Sequence, residues 1–268
     1  MTSTQGQLAL ITGASSGIGK ATALAFAEAG INLALLSRSQ DKLEQVAIAA
    51  RELGVTAEVF PCDLLDVEQL RDRFATLAQK LGKVDILVNN AGIGYINSLS
   101  DTSLADWERV FRLNVTSVLE ATCGILPTMR AKGGGVIINV SSIAGKQAFP
   151  NWGAYSASKF ALMGFSQSLA AEEREHGIRV TAICPGAVNT PIWETDTMDK
   201  AGFDRNSMLT PDAVAQAILQ AVQLPQGAVL EEMTIMPSGG GLLGGGFRQQ
   251  LPSQSGRSHH SGPIAQFR

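Results

Sequence analysis

Residues 7–30 have the sequence "QLALITGASSGIGKATALAFAEAG" and combine, in order, a short apolar strand, a glycine-rich turn and a helix. The turn, "TGASSGIG" from Thr12 to Gly19, carries glycines at positions 13, 17 and 19. Glycine reaches positive φ angles and leaves room for a ligand to approach the main chain. Because this turn leads directly into a helix, it predicts a pyrophosphate site at the helix N-terminus. The alternative is a tight connection between strand and helix, which would use the same residues.

A short apolar run followed by a helical segment recurs along the chain. Runs such as "DILVNN" and "GVIINV" are continuously apolar, which is typical of strands buried on both faces of a parallel sheet. We therefore expect an α/β fold with a Rossmann-type, doubly wound parallel seven-stranded sheet in three α/β/α layers, forming a single domain. The predicted strands are 7–12, 31–37, 55–63, 84–92, 135–142, 178–186 and 228–237. Among the predicted helices are a long one over roughly 103–131 and others over 154–177 and 211–223.

The composition changes near residue 237. Residues 1–237 are predicted to form the folded domain, whereas residues 238–268 are rich in Gly, Ser, Gln and Pro and predict a flexible tail. His259 and His260 lie in that tail without other ligands nearby, so no metal site is expected.

The bulk composition excludes several classes of protein. Of 268 residues, 45% are hydrophobic and 17% are charged, and the net charge is −3 without a long basic run, which argues against nucleic-acid binding. Neither a signal peptide nor a membrane span is predicted. The three scattered cysteines, Cys62, Cys123 and Cys184, are expected to be reduced thiols, which favours a cytoplasmic protein.

The end of the second strand carries information about a nucleotide. An acidic residue at this point accepts bonds from the ribose hydroxyls of NAD, whereas an arginine pairs with the 2′-phosphate of NADP. The sequence has Ser37 followed by Arg38, so NADP is favoured over NAD. The alternative is that Arg38 is an ordinary surface residue.

Tyr155 and Lys159 stand four residues apart in "YSASK", a spacing that places both on one face of a helix. A free tyrosine has a pKa of about 10 and is a poor proton donor or acceptor at neutral pH. A nearby ammonium would lower this pKa and suit the tyrosine to general acid–base catalysis. The alternative is a half-buried aromatic beside a solvated lysine.

The motifs together resemble the classical short-chain dehydrogenases/reductases. "TGASSGIG", "CDL" (62–64), "NNAG" (89–92), "LNV" (113–115), "NVSSIAG" (139–145), "YSASK" (155–159) and "PGAVNT" (185–190) occur in the order and spacing of that family. The resemblance covers residues 7–237. It implies four catalytic residues, Asn114, Ser142, Tyr155 and Lys159. Asn114 would hold a water relay to Lys159, or would instead be a helix-kink residue bonded to the backbone.

The resemblance also implies a set of residues around NADP(H). They are Gly13, Ser15, Ser16, Gly17, Ile18, Gly19, Ser37, Arg38, Asp63, Leu64, Asn90, Ala91, Gly92, Tyr155, Lys159, Pro185, Gly186, Val188 and Thr190. Asp63 would contact adenine, and the last four positions would include the segment that meets the nicotinamide carboxamide. Pro185 and Gly186 could instead only turn the chain after a strand.

The implied activity is an NADPH-dependent oxidoreductase that interconverts a small-molecule carbonyl and a secondary alcohol. The ending "LEEMTIMPSGG" resembles the branch of sepiapterin reductases and 3-hydroxy acid dehydrogenases more than the fatty-acid-synthesis reductases. A 3-oxoacyl carrier-protein reductase remains an alternative, as do an enoyl reductase, an epimerase and a non-catalytic NADP-binding sensor.

The substrate pocket is expected to be apolar and aromatic. Its candidate lining is Tyr95, Phe149, Trp152, Ile192, Trp193 and Met198, although each could equally pack against a lid or a neighbouring subunit. Residues 191–209 are the candidate lid. The family implies a homodimer or homotetramer, with the helices over 103–131 and 154–177 as the expected interface.

Overall fold

The computed structural model describes residues 4–194 and 204–239, and within them a single parallel sheet is flanked by helices. The strands are β1 Leu8–Thr12, β2 Asn32–Ser37, β3 Ala57–Pro61, β4 Ile86–Asn89, β5 Gly135–Val140, β6 Ile178–Pro185 and β7 Glu232–Ile235. The helices are α1 Gly17–Glu28, α2 Gln40–Glu52, α3 Val67–Leu81, α4 Leu104–Phe111, α5 Ser117–Lys132, α6 Gly153–Glu173 and α7 Pro211–Val222.

The strand order is β3-β2-β1-β4-β5-β6-β7, with every neighbouring pair parallel. The chain builds outward from β1 in one direction and from β4 in the other. The order therefore reverses between β1 and β4, where the carboxyl ends of the strands leave a crevice typical of ligand sites. The predicted fold class, a Rossmann-type doubly wound sheet in a single domain, is confirmed.

Alternate residues of each strand point to opposite faces of the sheet, and each face has its own core. Ile11 of β1 packs in the cluster that includes Phe26 of α1, Leu43 of α2 and Val214 of α7. Its neighbour Leu10 packs in the cluster that includes residues of α3, α5 and α6. These two cores produce the three layers and explain why the strands are apolar without alternation.

The predicted long helical stretch over 103–131 is confirmed, with one irregularity that was not predicted. The structure divides it into α4, a π-helical turn at Arg112–Thr116, and α5. Asn114 lies in this turn, and its side-chain oxygen accepts a bond from the Ile93 backbone amide at 2.9 Å. An inserted side chain of this kind accompanies the extra residue of a π-helical turn.

The predicted strand over 228–237 was too long, since β7 has four residues. Arg179 explains its late start, because the guanidinium donates to the carbonyl oxygens of Val222, Leu224 and Ala228. These bonds hold residues 222–228 as a connection between α7 and the sheet.

No helix within the described ranges is long and apolar enough to cross a membrane. The boundary between residues 237 and 238 stays a prediction, because residues 240–268, including His259 and His260, lie outside the described residues.

Candidate active site

A cleft of about 850 Å³ opens at the carboxyl ends of the strands, where the strand order reverses. Its lining comes from the turn after β1, the ends of β2 and β3, the loop after β4, and α6. Residues 190–192 close one side. The cleft is large enough for a dinucleotide-sized ligand.

The glycine-rich turn lies tight against the loop that follows β4. Gly13 has φ +65°, and a Cβ built on it would lie 2.9 Å from the Ala91 Cα. A Cβ built on Gly19 would lie 2.5 Å from the Asn90 Nδ2. Only glycine fits at these two positions, so the turn keeps its main chain accessible at the start of α1.

Thr12 ties this turn to β4. Its hydroxyl donates to the Val88 carbonyl at 3.3 Å and accepts from the amides of Asn90 and Ala91 at 3.0 and 3.1 Å. The Asn90 side chain donates to the Thr12 carbonyl at 2.9 Å. These bonds fix the two central loops of the cleft relative to each other.

The far end of the cleft is positively charged. Arg38 and Lys42 both line it, with Ser39 between them, and neither cation forms an ion pair within the described residues. The Ser37 hydroxyl oxygen is buried and has no hydrogen-bond partner in the described part of the chain. Asp63 also lines this end, and its Oδ1 accepts from the Leu65 amide at 3.0 Å. This end presents donors and two free cations to a ligand.

Tyr155 and Lys159 are both buried at the inner end of the cleft, 8% and 5% exposed. This burial excludes the solvated-lysine alternative. The Lys159 Nζ donates to the Val140 carbonyl at 2.9 Å and lies 5.7 Å from the centre of the Tyr155 ring. Burial lowers the pKa of Lys159 to about 8.

The expectation that the lysine lowers the pKa of Tyr155 was wrong for this structure. Burial is the largest effect and raises the pKa of the Tyr155 hydroxyl above its usual value, while a hydrogen bond with Ser142 lowers it by less. The phenol is therefore neutral at physiological pH and can donate a proton.

Ser142 follows β5 and stands beside this tyrosine. Its hydroxyl oxygen accepts from the Ala144 amide at 3.1 Å, which fixes the side chain at the start of a short 3₁₀ turn. The Ser142 hydroxyl is near enough to the Tyr155 hydroxyl to lower its pKa, so the two hydroxyls lie in the same region of the site.

Asn114 lies behind this group and is 1% exposed. Its Nδ2 donates to the Ile93 carbonyl at 3.0 Å and to the Ser158 hydroxyl at 3.1 Å. A Cβ built on Gly92 would lie 3.1 Å from the Asn114 Oδ1 and 3.7 Å from the Lys159 Nζ. Asn114 therefore bonds to the backbone at the irregular turn of the helix, as one of the two alternatives for this residue predicted. Because Gly92 has no side chain, space remains between Asn114 and Lys159.

An aromatic cluster packs beside Tyr155, and its members Phe149, Trp152 and Trp193 do not line the cleft. The Trp152 ring is 5.6 Å from the Tyr155 ring, 6.0 Å from Trp193 and 6.2 Å from Phe149, each in an edge-on arrangement. Ile192 packs against the same cluster. Tyr95 does not join it, because that ring packs with Val110 and Ala154. Met198 lies outside the described residues.

The structure brings most of the predicted cofactor residues into one cleft. The predicted residues that line it are Gly13, Ser15, Ser16, Gly17, Ile18, Ser37, Arg38, Asp63, Leu64, Asn90, Ala91, Gly92, Tyr155, Lys159 and Thr190. Within the described ranges, the predicted residues that do not line it are Gly19, Asn114, Ser142, Pro185, Gly186 and Val188. Gly186 donates its amide to the Ile235 carbonyl at 2.8 Å, which extends the pairing of β6 with β7.

Several lining residues were missed from the sequence. They include Ser39, Lys42, Cys62, Arg109, Leu113 and Pro191. Lys42 had a detectable signal, because it follows Arg38 closely and lies in the first turn of the predicted helix. Arg109 had none, since only the fold brings α4 to the cleft. Among the described residues, no group of three His, Cys, Asp or Glu side chains is placed to hold a metal ion.

The fold and cleft define a class, the dinucleotide-binding α/β proteins. Within that class, the model of the short chain dehydrogenase family matches residues 7–201 of this chain. The chain belongs to the short-chain dehydrogenase/reductase family, as its motifs indicated, and is therefore an oxidoreductase of that family.

Curated relatives support the same assignment. D-beta-hydroxybutyrate dehydrogenase from Rhizobium meliloti is 35% identical over 214 residues, covering 79% of this chain and 81% of that protein. Glycine betaine reductase from Emericella nidulans is 35% identical over 237 residues, covering 87% of this chain. This chain spans 19% of that longer protein.

Solved structures have the same fold. L-sorbose reductase from Gluconobacter frateurii, complexed with NADPH and L-sorbose, is 29% identical with a TM-score of 0.79, covering 88% of this chain and 98% of that one. Carveol dehydrogenase from Mycobacterium avium, complexed with NAD, is 23% identical with a TM-score of 0.81, covering 88% and 98%. At 23% identity, the similarity to carveol dehydrogenase supports only the assignment of the fold.

Proposed function

We propose that this protein is an NADPH-dependent oxidoreductase that interconverts a carbonyl compound and a secondary alcohol. The observation that carries the proposal is the pairing of Tyr155 with Lys159, both buried at the inner end of a dinucleotide-sized cleft, with Ser142 beside the tyrosine. The raised pKa keeps the Tyr155 phenol protonated at neutral pH, so its proton is available to a carbonyl oxygen.

The residues of the chain have separate tasks in this reaction. When bound, the nicotinamide supplies or accepts the hydride. Tyr155 donates its proton to the substrate oxygen, and the Ser142 hydroxyl polarises the same oxygen. The ammonium of Lys159 stabilises the phenolate that remains, and this lysine would also bond the nicotinamide ribose. Asn114 would hold a water that links Lys159 to solvent, in the space beside Gly92.

The cleft fits a dinucleotide by its own geometry. A side chain at Gly13 or Gly19 would collide with Asn90 or Ala91 in the loop after β4, so the turn requires glycine at both positions. The main-chain amides of this turn suit a pyrophosphate. The unpaired Ser37 hydroxyl, Arg38 and Lys42 suit a ribose 2′-phosphate. Asp63 would contact adenine, while Gly186, Val188 and Thr190 would lie near the nicotinamide. The NADPH complex of L-sorbose reductase supports the choice of NADP over NAD.

The 3-hydroxy acid branch is the proposed substrate class. The sequence ending supports it, and so does the similarity to D-beta-hydroxybutyrate dehydrogenase. The sepiapterin reductases share that ending, and a 3-oxoacyl carrier-protein reductase is the competing activity. We further propose a cytoplasmic homo-oligomer that pairs through α5 and α6.

The test of the activity is NADPH consumption against ketones, aldehydes, 3-oxo esters and pterins, with Tyr155→Phe as the variant. A substrate should turn over in the wild type, and the variant should lose at least about 100-fold in kcat while it retains NADPH binding. Tyr95→Phe is the control, because the Tyr95 hydroxyl lies 3.4 Å from Asp106 and serves that contact. Tight NADPH binding without turnover of any compound would instead favour a nucleotide sensor.

The test of the cofactor is the ratio of kcat/KM with NADPH to that with NADH. Arg38→Asp should lower this ratio about tenfold to a hundredfold, because a charged hydrogen bond is replaced by repulsion. Lys42→Ala should lower it by less. Lys20→Asp is the control, since Lys20 is an exposed cation that does not line the cleft. An unchanged ratio in Arg38→Asp would contradict the assignment of NADP.

A further inference from the structure

Residues 187–194 turn back over the cleft after β6 and are called here the covering segment. Thr190, Pro191 and Ile192 of this segment line the cleft. The Thr190 Cγ2 lies 3.1 Å from the position of a Cβ built on Gly17. The covering segment therefore rests directly on the glycine-rich turn, and its position decides how the inner part of the cleft is closed.

Two kinds of contact hold the covering segment in place. Leu209 pairs with Val188 as a short parallel bridge, in which the Asn189 amide donates to the Leu209 carbonyl and the Leu209 amide donates to the Ala187 carbonyl, both at 2.9 Å. Within the segment, the Trp193 indole donates to the Val188 carbonyl at 2.8 Å. These contacts fix residues 187–189. The turn at Thr190 is closed within the segment by a longer bond, from the Trp193 amide to the Thr190 carbonyl at 3.3 Å, and further support comes from another part of the chain.

Arg205 supplies this support from a separate part of the chain. Its Nε donates to the Asn189 Oδ1 at 2.8 Å, its Nη2 donates to the Thr190 carbonyl at 3.1 Å, and its Nη1 lies 3.3 Å from the Glu194 Oε1. Each guanidinium nitrogen thus bonds a different residue of the covering segment. A planar fork can make these three bonds together, and a lysine ammonium cannot reproduce the geometry.

The contacts of Arg205 are local. Its side chain is 39% exposed, and the residue begins a three-residue 3₁₀ turn, Arg205–Ser207, outside both main cores. Loss of the guanidinium should therefore leave the sheet and the helices intact. It should free the turn at Thr190, which has no other side-chain donor among the contacts of the described residues.

We propose that Arg205 is a positioning residue that holds the covering segment over the inner, nicotinamide-proximal part of the cleft. The inference rests on the proposed function for the identity of the ligand. It goes beyond that function by assigning the geometry of the closed cleft to a residue that does not itself line the cleft.

The first test compares two nucleotides in Arg205→Met. NADP⁺ should bind about tenfold more weakly and kcat should fall about tenfold, because a loosened segment misplaces the reacting end. Adenosine 2′,5′-bisphosphate, which lacks the nicotinamide end, should bind as in the wild type. Arg205→Lys should recover only part of the loss. Arg174→Met is the control, since Arg174 pairs only with the exposed Glu231 and lies away from the cleft.

An equal loss for both nucleotides would overturn the proposal, because it would mean general damage to the fold. An unchanged affinity for NADP⁺ together with an unchanged kcat would also overturn it.

The second test needs no ligand. Amide hydrogen exchange at Trp193, whose amide donates to the Thr190 carbonyl at 3.3 Å, should accelerate about tenfold in Arg205→Met, while exchange at Asn189 and within β5 and β6 stays unchanged. Unchanged exchange at Trp193 would overturn the positioning role by itself. If the wild type binds neither nucleotide, the proposed function fails, and the exchange rates alone decide whether Arg205 holds the segment.

Discussion

At the scale of single residues, burial governs the protonation of Lys159 and Tyr155 at the inner end of the cleft. The four-residue spacing places both on one face of α6 in any helix. Whether that face is buried depends on β5, since the Val140 carbonyl accepts from the Lys159 Nζ. Burial then controls both groups, raising the pKa of Tyr155 and lowering that of Lys159 to about 8. Spacing contains no information about this desolvation.

The pKa of Lys159 predicts how reduction depends on pH. Below pH 8 the side chain is an ammonium that stabilises the phenolate of Tyr155, and above pH 8 it is a neutral amine. The kcat/KM for carbonyl reduction should therefore fall as the pH rises through about 8, because kcat/KM reports the free enzyme.

Lys159→Arg is the matched variant for this prediction, since an arginine stays charged throughout the range. Any residual activity of that variant should lack the decrease near pH 8. A decrease that persists in Lys159→Arg would assign the titration to another group.

At the scale of elements, the strands and most helices could be predicted, while the interruptions could not. The apolar runs that became β4 and β5 needed only their composition. The π-helical turn at Arg112–Thr116 depends on the bonds between Asn114 and Ile93, which are distant in sequence. The extra residue of such a turn shifts the apolar pattern by only one position, which is too small a change to detect in the sequence, so the pattern predicts one unbroken helix.

The ends of α5 and α6 are joined by an ion pair whose contribution can be measured. Arg130 donates to Glu173 through two nitrogens, and the Glu173 side chain is fully buried. Arg130→Met should lower the free energy of unfolding by about 3 kcal/mol, because it leaves a buried carboxylate unpaired. Chemical denaturation at neutral pH measures the change. Arg174→Met breaks an exposed pair and should cost less than about 1 kcal/mol. Equal losses in the two variants would contradict this account.

At the scale of the whole molecule, strict alternation of strands and helices was enough to predict the doubly wound sheet and the place of the cleft. The residues around the cleft edge were harder to predict. Arg109 reaches the cleft only because α4 folds beside it, and Arg205 reaches the covering segment across the chain. Neither belongs to one of the motifs around the site, so the sequence could not relate them to the cleft.

The proposed assembly predicts that an exposed apolar surface is covered by a second copy. Leu119 of α5 and Phe160 of α6 are 37% and 45% exposed, although both are large apolar residues. Phe160→Arg should convert the oligomer to a monomer, as measured by light scattering after size-exclusion chromatography. Ile48→Arg on α2 is the control, because Ile48 is equally exposed on the opposite face of the sheet. A wild-type monomer, or an oligomer unaffected by Phe160→Arg, would contradict this interface.

The position of β1 between β2 and β4 has a consequence for synthesis on the ribosome. β1, β2 and β3 follow one another along the chain, so they can pair while translation continues. The other edge of β1 pairs with Ile86, Leu87 and Val88, so it has no neighbour until those residues have been made. The nascent chain therefore exposes a hydrophobic central strand for most of its first third. We expect this interval to be the period in which the new polypeptide most needs a chaperone.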